Sequence, residues 1–479
     1  MQLIPSGELF IDRKERANLP FQDLDLRPAS ERICDFDEVV LPFDEERAKF
    51  EASRCIHCPD PAPCVTACPV NNDIPSAMWL IEQGQFLEAA ELYRQTSSMP
   101  EICGRVCPHE QLCQGSCVQN HYEEPVQTGA LESFVTDYAR RMRGETIETA
   151  PSTGRKIAIV GAGPSGLACA EQLLVQGHSV TVFDKQPQPG GLLMYGIPNF
   201  KLEKDVLRER VDILFDAGMQ FQGSTTIGKD KTIDELFNEG YEAVYVAVGT
   251  WVDSPMDVPG EDLPGVHKGT PFLIRNNVDP QYLPEDMQTP DDVGKKVVVI
   301  GGGDTASDCL RTACRMGAEE VTCVYRRTEN EMPGGAKDRK MARQEGTQYS
   351  FLTQPVEFIA GEDGRLAALE CVKMELGEPD DSGRRRPVPI EGSNFRIEAD
   401  TAILALGYWP DELIGKSTPN LETHKWGLIV TDPETGATSR PGVFAGGDAV
   451  TGPDLVVTAT VAGRKAAQSI NQYLKSKLN

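Results

Sequence analysis

Residues 156–166 read KIAIVGAGPSG, a short apolar run that leads directly into a turn with three glycines. A helical pattern follows, with apolar side chains at Ala168, Ala170, Leu173 and Leu174. Glycine permits a tight turn and a close approach of a pyrophosphate to backbone N–H groups, and the N-terminus of the following helix favours its negative charge. The order of strand, glycine turn and helix therefore predicts an α/β domain that binds a dinucleotide.

The next strand pattern, Ser179–Phe183, ends at Asp184. A carboxylate at this position can accept hydrogen bonds from the ribose hydroxyls of an adenosine. We therefore expect the adenosine half of a dinucleotide to bind here. The expected contacts in this first unit are Gly161, Gly163, Pro164, Ser165, Gly166, Asp184, Lys185, Gly191, Leu192 and Gly249.

A second unit of the same kind begins at Lys296, where KVVVI runs into GGGDTA (residues 301–306). At the end of its second strand, Val321–Tyr325, the acidic residue is replaced by Arg326 and Arg327. Guanidinium groups can pair with a 2′-phosphate that a carboxylate would repel, although a solvated strand end is the alternative. The second site is therefore expected to bind NADPH. The expected contacts are Gly301, Gly303, Asp304, Thr305, Arg326 and Arg327.

Near the C-terminus, a strand-like segment (442–444) leads to AGGD (445–448), and residues 455–467 predict a helix. Asp448, beside Gly447, could accept a hydrogen bond from a flavin ribityl hydroxyl, and the helix N-terminus could stabilise negative charge at the flavin N1/O2 edge. The order of the units implies an NADPH-binding domain inserted within a discontinuous flavin-binding domain. The expected boundaries are 151–285 and 401–479 for the flavin-binding domain and 286–400 for the inserted domain.

Eight of the fourteen cysteines lie between residues 55 and 117, in two runs. The runs are Cys55-x2-Cys58-x5-Cys64-x3-Cys68-Pro69 and Cys103-x3-Cys107-Pro108-x4-Cys113-x3-Cys117. Closely spaced thiolates with a Cys-Pro step are typical of [4Fe-4S] binding, in which a distant residue completes each ligand set. Structural zinc usually pairs two Cys-x2-Cys knuckles, and only one is present; a nest of reduced cysteines is a further alternative. We expect two [4Fe-4S] clusters in a helical domain, residues 1–150.

The composition excludes several classes of function. The net charge is −26, from 47 Lys+Arg against 73 Asp+Glu, and it repels nucleic acid and anionic membranes. No apolar run approaches the roughly 20 residues needed to span a bilayer. Met1–Glu15 lacks the apolar core of a secretory signal. We therefore expect a cytoplasmic protein with no nucleic-acid or membrane partner, in which reductants keep thiols free.

Five longer motifs resemble those of the glutamate synthase small (beta) subunit family, with related segments in dihydropyrimidine dehydrogenase. They are ICGRVCP (102–108), GGLLMYGIPNFKLEKDV (190–206), GGGDTASDC (301–309), YRRTENEMPG (325–334) and AGGDAVTGPDLVVTA (445–459). The resemblance covers essentially the whole chain. It implies FAD in the first unit, NADPH in the second and two [4Fe-4S] clusters that deliver electrons to a large (alpha) subunit carrying FMN and glutamine amidotransferase chemistry. The implied fold class is α/β, with an N-terminal helical iron-sulfur domain and two Rossmann-like (glutathione-reductase-like) domains.

The resemblance also implies the cluster ligands. One cluster would take Cys55, Cys58, Cys64 and Cys117, and the other Cys68, Cys107, Cys113 and a fourth ligand. Relatives have Gln or Glu at the position matching Glu132, which otherwise reads as an ordinary helix-surface carboxylate. Cys103 is the chemically simpler alternative, because thiolates are the usual ligands. The chain departs from its relatives in one spacing: five residues separate the second and third cysteines, where four are common.

The expected reaction is hydride transfer from NADPH to the flavin, followed by one-electron steps, and it requires no acid–base dyad. The expected protein is the NADPH-oxidising subunit of a glutamate synthase, which makes L-glutamate from L-glutamine and 2-oxoglutarate. The alternative is a ferredoxin:NADP oxidoreductase or transhydrogenase subunit. A non-enzymatic assembly module is disfavoured, because both dinucleotide fingerprints are complete.

Overall fold

The computed structural model describes residues 11–380 and 383–477. Residues 1–10 of the expected helical domain and residues 478–479 of the last segment lie outside this range, as does most of the stretch that argues against a secretory signal. In the described part of the chain, no helix is both long and apolar enough to cross a bilayer.

Helices dominate the residues before the first strand. Asp44 and Asp73 each begin a helix by accepting a hydrogen bond from a backbone N–H three residues later, at 2.8 and 3.2 Å. Such a side chain satisfies an N–H that has no partner within the helix. The helices are α1 (Arg13–Ala17), α2 (Ala29–Arg32), α3 (Glu45–Ser53), α4 (Pro63–Ala67), α5 (Ile74–Glu82), α6 (Phe86–Thr96), α7 (Pro100–Val106) and α8 (Thr128–Met142).

Strands and helices then alternate. In order they are β1 (Lys156–Val160), α9 (Pro164–Val175), β2 (Ser179–Phe183), α10 (Leu192–Tyr195), α11 (Lys204–Asp216), β3 (Gln220–Gln222), α12 (Ile233–Asn238), β4 (Ala243–Val246), β5 (Val252–Asp253), β6 (Val266–Lys268), α13 (Gly269–Asn277), β7 (Lys296–Ile300), α14 (Asp304–Arg315), β8 (Glu320–Tyr325) and α15 (Ala336–Gln344). The remaining elements are β9 (Gln348–Phe351), β10 (Thr353–Ala360), β11 (Leu366–Pro379), β12 (Arg385–Pro389), β13 (Phe395–Glu398), β14 (Thr401–Leu404), β15 (Tyr408–Trp409), α16 (Leu413–Ser417), β16 (Val443–Ala445), α17 (Asp448–Thr451) and α18 (Val456–Ser476).

The first sheet is parallel, with strand order β16-β4-β1-β2-β3. Its central strands are buried along nearly their whole length, which agrees with their continuous apolar sequences. Strand β16 joins this sheet from near the end of the chain, so the domain is discontinuous. The predicted fold class is confirmed: a helical domain precedes two Rossmann-like units, one inserted within the other.

The second sheet is also parallel, with strand order β6-β14-β7-β8-β9. It takes β6 and β14 from outside the expected range 286–400. The short strands β5 and β15 pair with each other in antiparallel fashion where the chain passes between the two units. We therefore propose that the inserted unit runs from β5 to β15, a wider range than the glycine motif and its strands suggest.

Buried ion pairs join the helical domain to the first sheet. Glu101 on α7 pairs with Arg210 on α11 (2.8 Å) and with Arg94 on α6 (2.7 Å). Burial alone would raise the pKa of Glu101, but the two guanidinium groups hold it at about 2. The carboxylate therefore stays ionised and fixes α7, which carries Cys103, against the first nucleotide-binding unit.

Candidate redox site

The first glycine turn lies between β1 and the N-terminus of α9, which begins at Pro164 after Gly163. Gly161 has a φ of +108°, and a Cβ atom there would lie 2.3 Å from the Ala247 carbonyl oxygen, so only glycine fits. The Asp184 carboxylate, buried at the end of β2, accepts hydrogen bonds from the N–H groups of Ala162 (2.6 Å) and Gln186 (2.8 Å). Asp184 therefore holds the turn in shape, in addition to the ribose contact proposed for it.

A cavity with about 500 Å³ of empty space opens at this turn, near the strand ends where dinucleotides bind in such sheets. At its wall the Lys185 ammonium lies 4.5 Å from the centre of the Trp251 ring. Three residues that line it, Gly161, Asp184 and Lys185, are predicted from the sequence. Thr225, Thr226 and Trp251 also line it and are not predicted, because their segments carry no nucleotide-binding pattern.

Gly191, Leu192 and Gly447, which are also predicted for this site, lie near the same turn. The Gly190 N–H donates to the Ala162 carbonyl (2.8 Å), which places the adjacent Gly191 and Leu192 beside the turn. Gly447 packs against Ser165, whose hydroxyl lies 2.7 Å from the Tyr245 hydroxyl. Segments that are distant in sequence therefore meet at this turn.

Asp448 begins the short helix α17 and is only partly exposed. Burial raises its pKa from the ordinary value of 3.8 to about 7, and the neighbouring Asp454 contributes to the rise. A carboxylate in such surroundings gains from a hydroxyl that donates a hydrogen bond to it. This environment supports the ribityl contact proposed for Asp448.

The raised pKa of Asp448 predicts a pH-dependent cost to the flavin-free protein. The folded protein keeps a proton that the unfolded chain releases, so the cost is absent below pH 4, grows as pH rises to 7 and is complete above it. Asp448→Asn should therefore raise the unfolding free energy at pH 8 by on the order of 2 kcal/mol and change little at pH 4. Urea denaturation at both pH values measures this, and an equal effect at both would contradict it.

The second glycine turn lies between β7 and α14, which begins at Asp304. The segment after β8 folds over this turn: the Gly334 N–H donates to the Gly302 carbonyl (3.1 Å), and the Gly335 N–H donates to the Asp304 carboxylate (3.0 Å). The Thr305 hydroxyl lies 2.6 Å from the Tyr408 hydroxyl. Asp304 thus binds protein backbone as the first residue of the helix, and the turn is closed on one side by the motif YRRTENEMPG.

The two arginines at the end of β8 differ in their surroundings. Arg327 is buried and donates hydrogen bonds to the Arg385 carbonyl (2.7 Å) and the Asp380 carboxylate (2.7 Å). Its guanidinium therefore braces the hairpin of β11 and β12. Arg326 is more exposed; partial burial of its guanidinium lowers its pKa, and the like charges of Arg327 and Arg384 add to the effect. We propose that Arg326, rather than Arg327, carries most of the 2′-phosphate recognition.

This difference predicts distinct effects for two matched substitutions. Arg326→Ala should raise the KM for NADPH roughly 10- to 100-fold and leave the KM for NADH nearly unchanged, because a charge-assisted hydrogen bond is worth about 1.5–3 kcal/mol. Arg327→Ala should mainly lower the thermal midpoint, because it leaves the Asp380 carboxylate without this partner. Steady-state kinetics with both nucleotides and thermal unfolding separate the two effects. The reverse pattern would contradict the assignment.

The first set of thiols surrounds a cavity. Cys55, Cys58, Cys64 and Cys117 all line it, and it holds about 420 Å³ of empty space. Burial, with the nearby Cys117 and Cys58, raises the pKa of Cys64 to about 12. Across residues 11–380 and 383–477, no three Cys, His, Asp or Glu side chains converge around a point as ligands of a single metal ion do. These thiols need positive charge nearby to ionise together.

The second set consists of Cys68, Cys103, Cys107, Cys113 and Glu132. Burial raises the pKa of Cys68 and Cys113, and the Glu132 carboxylate adds to the rise. The neighbouring Cys103 side chain and burial raise the pKa of Cys107. The description of Glu132 as a helix-surface carboxylate is wrong, since this residue on α8 is only 5% exposed. Burial and the nearby Cys103 raise its pKa well above the ordinary value. The Asn72 side-chain amide donates a hydrogen bond to the Glu132 carboxylate (3.3 Å).

The second set lies against the first nucleotide-binding unit. Cys103 is buried with Val457 of α18, and Cys68, Cys107 and Leu455 pack against them. Helix α18 follows α17, which begins at Asp448. Cys55, Cys64 and Cys117 of the first set pack against the core of the helical domain, which Cys68 and Cys113 of the second set also contact. The second set is therefore the one in contact with the helix that runs from the proposed flavin site.

Known proteins resemble the chain over most of its length. Residues 32–144 match the family model described as dihydropyrimidine dehydrogenase domain II, 4Fe-4S cluster, and residues 155–463 match the model of the pyridine nucleotide-disulphide oxidoreductases. AegA of Escherichia coli, a protein named as an oxidoreductase, is 44% identical over 93% of this chain and 68% of its own. The glutamate synthase (NADPH) small chain of the same species is 42% identical over 94% of this chain and 96% of its own.

Solved structures share the fold of the nucleotide-binding part. FprA from Mycobacterium tuberculosis in complex with NADPH superposes with a TM-score of 0.57 at 22% identity, over 69% of this chain and 86% of that one. At this level of identity the likeness shows the fold alone.

The residues present fit the groups that these matches name. Raised pKa values at Cys64, Cys68 and Glu132 show buried acidic groups that an iron centre would stabilise in ionised form. Among the described residues, the His57 ring nitrogens and the Tyr93 hydroxyl are buried without a hydrogen-bond partner. Buried polar atoms are rarely left unsatisfied, so these atoms point to groups bound beside the thiols.

Proposed function

The chain belongs to the family of the glutamate synthase small chains, and we propose that it is the NADPH-oxidising subunit of such an enzyme. It is an oxidoreductase with an iron-sulfur domain and an FAD- and NADPH-binding part. In the proposed assembly it delivers electrons to a large subunit that makes L-glutamate from L-glutamine and 2-oxoglutarate. Small chains from two species support this proposal, at 42% and 43% identity over 94% and 95% of this chain.

When bound, FAD converts the two-electron chemistry of NADPH into one-electron steps, and iron-sulfur clusters accept single electrons. The protein binds and orients these groups. The turns at Gly161 and Gly301 present backbone N–H groups and helix N-termini to the two pyrophosphates. Arg326 selects the phosphorylated nucleotide, and the segment through Gly334 and Gly335 closes over the second turn. No side chain needs to transfer a proton in this proposal.

The packing of Cys103 and Val457 carries the electron-transfer part of the proposal. Because Cys68, Cys103 and Cys107 touch the start of α18, the second thiol set lies beside the first nucleotide-binding unit. All four thiols of the first set are only partly buried, whereas Cys103 and Cys113 of the second set are buried. This difference supports an exit toward a partner on the side of the first set. The sets thus have distinct positions, one facing the nucleotide-binding unit and one nearer the surface of the helical domain.

The test is a glutamate assay under anaerobic conditions. The chain is copurified with a glutamate synthase large subunit, and NADPH oxidation is followed with and without L-glutamine plus 2-oxoglutarate. We expect oxidation to rise when both substrates are present and L-glutamate to form in proportion to the NADPH consumed. Oxidation that responds only to ferredoxin or dyes would overturn this function and favour the ferredoxin:NADP oxidoreductase alternative, for which a different partner chain is needed.

A further inference from the structure

Tyr93 on α6 places a hydroxyl inside the thiol-rich core of the helical domain. Its side chain is 1% exposed, and its hydroxyl has no hydrogen-bond partner among the described residues. Tyr93 and Cys113 belong to one buried cluster, against which Cys55, Cys64, Cys68 and Cys117 pack. A buried hydroxyl without a partner loses its hydrogen bonds to water and forms none in the protein. Its burial therefore costs free energy unless a bound group accepts a hydrogen bond from it.

Among the thiols of this core, Cys113 of the second set is the one that is itself buried in the same cluster as Tyr93. Burial raises the pKa of Tyr93, and Glu132, Cys113 and Cys68 of the second set and Cys64 of the first set add to the rise. The Tyr93 side chain therefore packs in one buried cluster with a thiol of the second set.

The polar side chains in this core, Asn72, Thr96 and Glu132, are hydrogen-bonded to one another. The Asn72 amide donates to Glu132 at 3.3 Å, and the Asn72 carbonyl oxygen accepts from the Thr96 hydroxyl at 2.5 Å. This chain of bonds orients the Glu132 carboxylate from one side. The Tyr93 hydroxyl takes no part in these bonds, so it can donate a hydrogen bond to a group bound by the second set.

We propose that the Tyr93 hydroxyl donates a hydrogen bond to the iron-sulfur group held by Cys68, Cys107, Cys113 and a fourth ligand, and thereby raises the reduction potential of that group. The inference rests on the proposed function, because it requires the second set to hold a cluster. Reduction adds negative charge to the cluster and its sulfurs, and a hydrogen-bond donor stabilises the more negative state. Tyr93 acts on the potential through this hydrogen bond and does not bind iron.

The test is Tyr93→Phe in the full chain, which keeps the ring and removes only the hydroxyl. We expect the equilibrium for reducing one of the two clusters to shift roughly tenfold against reduction, a fall of about 59 mV for one electron. Redox titration monitored by electron paramagnetic resonance measures both potentials. The matched control is Tyr138→Phe, because Tyr138 packs on the same core beside Phe86 (5.0 Å between ring centres) but is only partly buried.

The outcomes separate this inference from the proposed function. A natural chain that lacks iron, acid-labile sulfide and cluster signals would overturn the proposed function itself. A natural chain with both clusters, and a Tyr93→Phe variant with full iron content and unchanged potentials, would overturn only the role of Tyr93. If Tyr93→Phe loses iron, a variant with 3-fluorotyrosine at position 93 tests the role of the hydroxyl instead. Its more acidic hydroxyl should raise the same potential, and an unchanged value would overturn the inference.

Discussion

Gly301→Ala is expected to lower kcat/KM for NADPH by roughly 100-fold or more while the first unit keeps its flavin, because small displacements of a bound reactant cost this much. Gly301 has a φ of +144°, and a Cβ atom there would lie 2.1 Å from the Ala405 carbonyl oxygen. The Ala405 carbonyl belongs to the backbone at the end of the adjoining strand and cannot rotate away as a side chain can. The glycine turn itself must therefore open. The start of α14 then moves away from the nucleotide.

Gly303→Ala is the matched control for this substitution. A Cβ atom at Gly303 meets nothing within 4 Å, and its φ is −88°, a conformation that alanine adopts without strain. The variant should fold normally, so any loss of NADPH affinity at this position reports a contact with the nucleotide. Stopped-flow reduction of the flavin and fluorescence of bound FAD measure both variants. Normal kcat/KM in Gly301→Ala would contradict the placement of the second nucleotide.

Glu132→Ala is expected to remove one of the two clusters. The iron content of the chain should then fall to about half, and electrons should no longer pass beyond the flavin. A buried carboxylate whose pKa is raised so far is unfavourable in ionised form unless a cation lies beside it. Because Cys68, Cys107 and Cys113 are the proposed ligands of the second cluster, the cation expected beside Glu132 is an iron atom of that cluster. Iron and sulfide analysis of anaerobically purified protein measures the loss.

Cys103→Ala distinguishes the two candidates for the fourth ligand. Cys103 is buried against Val457, and a buried free cysteine behaves as a small apolar residue. We therefore expect Cys103→Ala to keep both clusters and to lose only modest stability, and Glu132→Gln, which keeps an oxygen ligand, to retain more iron than Glu132→Ala. Loss of a cluster in Cys103→Ala with full retention in Glu132→Ala would assign the fourth ligand to the thiol.

The sequence predicted those features that local patterns determine. The glycine turns, the carboxylate at the end of β2 and the spacing of the cysteines depend on residues close together in the chain, and the fold class follows from their order. The sequence also indicated that the segment around Asp448 returns to the first unit. This follows because the glycine units appear in nested order and a flavin-binding domain needs a final strand.

Features set by long-range packing could not be predicted in this way. The burial of Glu132 depends on how α8 packs against α6 and α7, and the helical pattern around it shows only a charged residue. Arg327 turns to Asp380 because the hairpin of β11 and β12 lies beside the end of β8. Strands β6 and β14 have apolar residues but no glycine motif, so the inserted unit looked shorter than the sheet shows. Tyr93 resembled an ordinary core residue.

The most direct test of the central claim is an anaerobic titration of the purified, flavin- and iron-loaded chain with NADPH. Visible absorption follows the flavin, and electron paramagnetic resonance follows the iron-sulfur clusters. We predict that NADPH bleaches the flavin absorption and that signals of reduced clusters appear in the same chain, with NADH far less effective. A flavin that NADPH reduces while fully loaded clusters stay oxidised, even with NADPH in large excess and the products removed, would contradict the claim that the chain passes electrons from NADPH to its iron-sulfur domain.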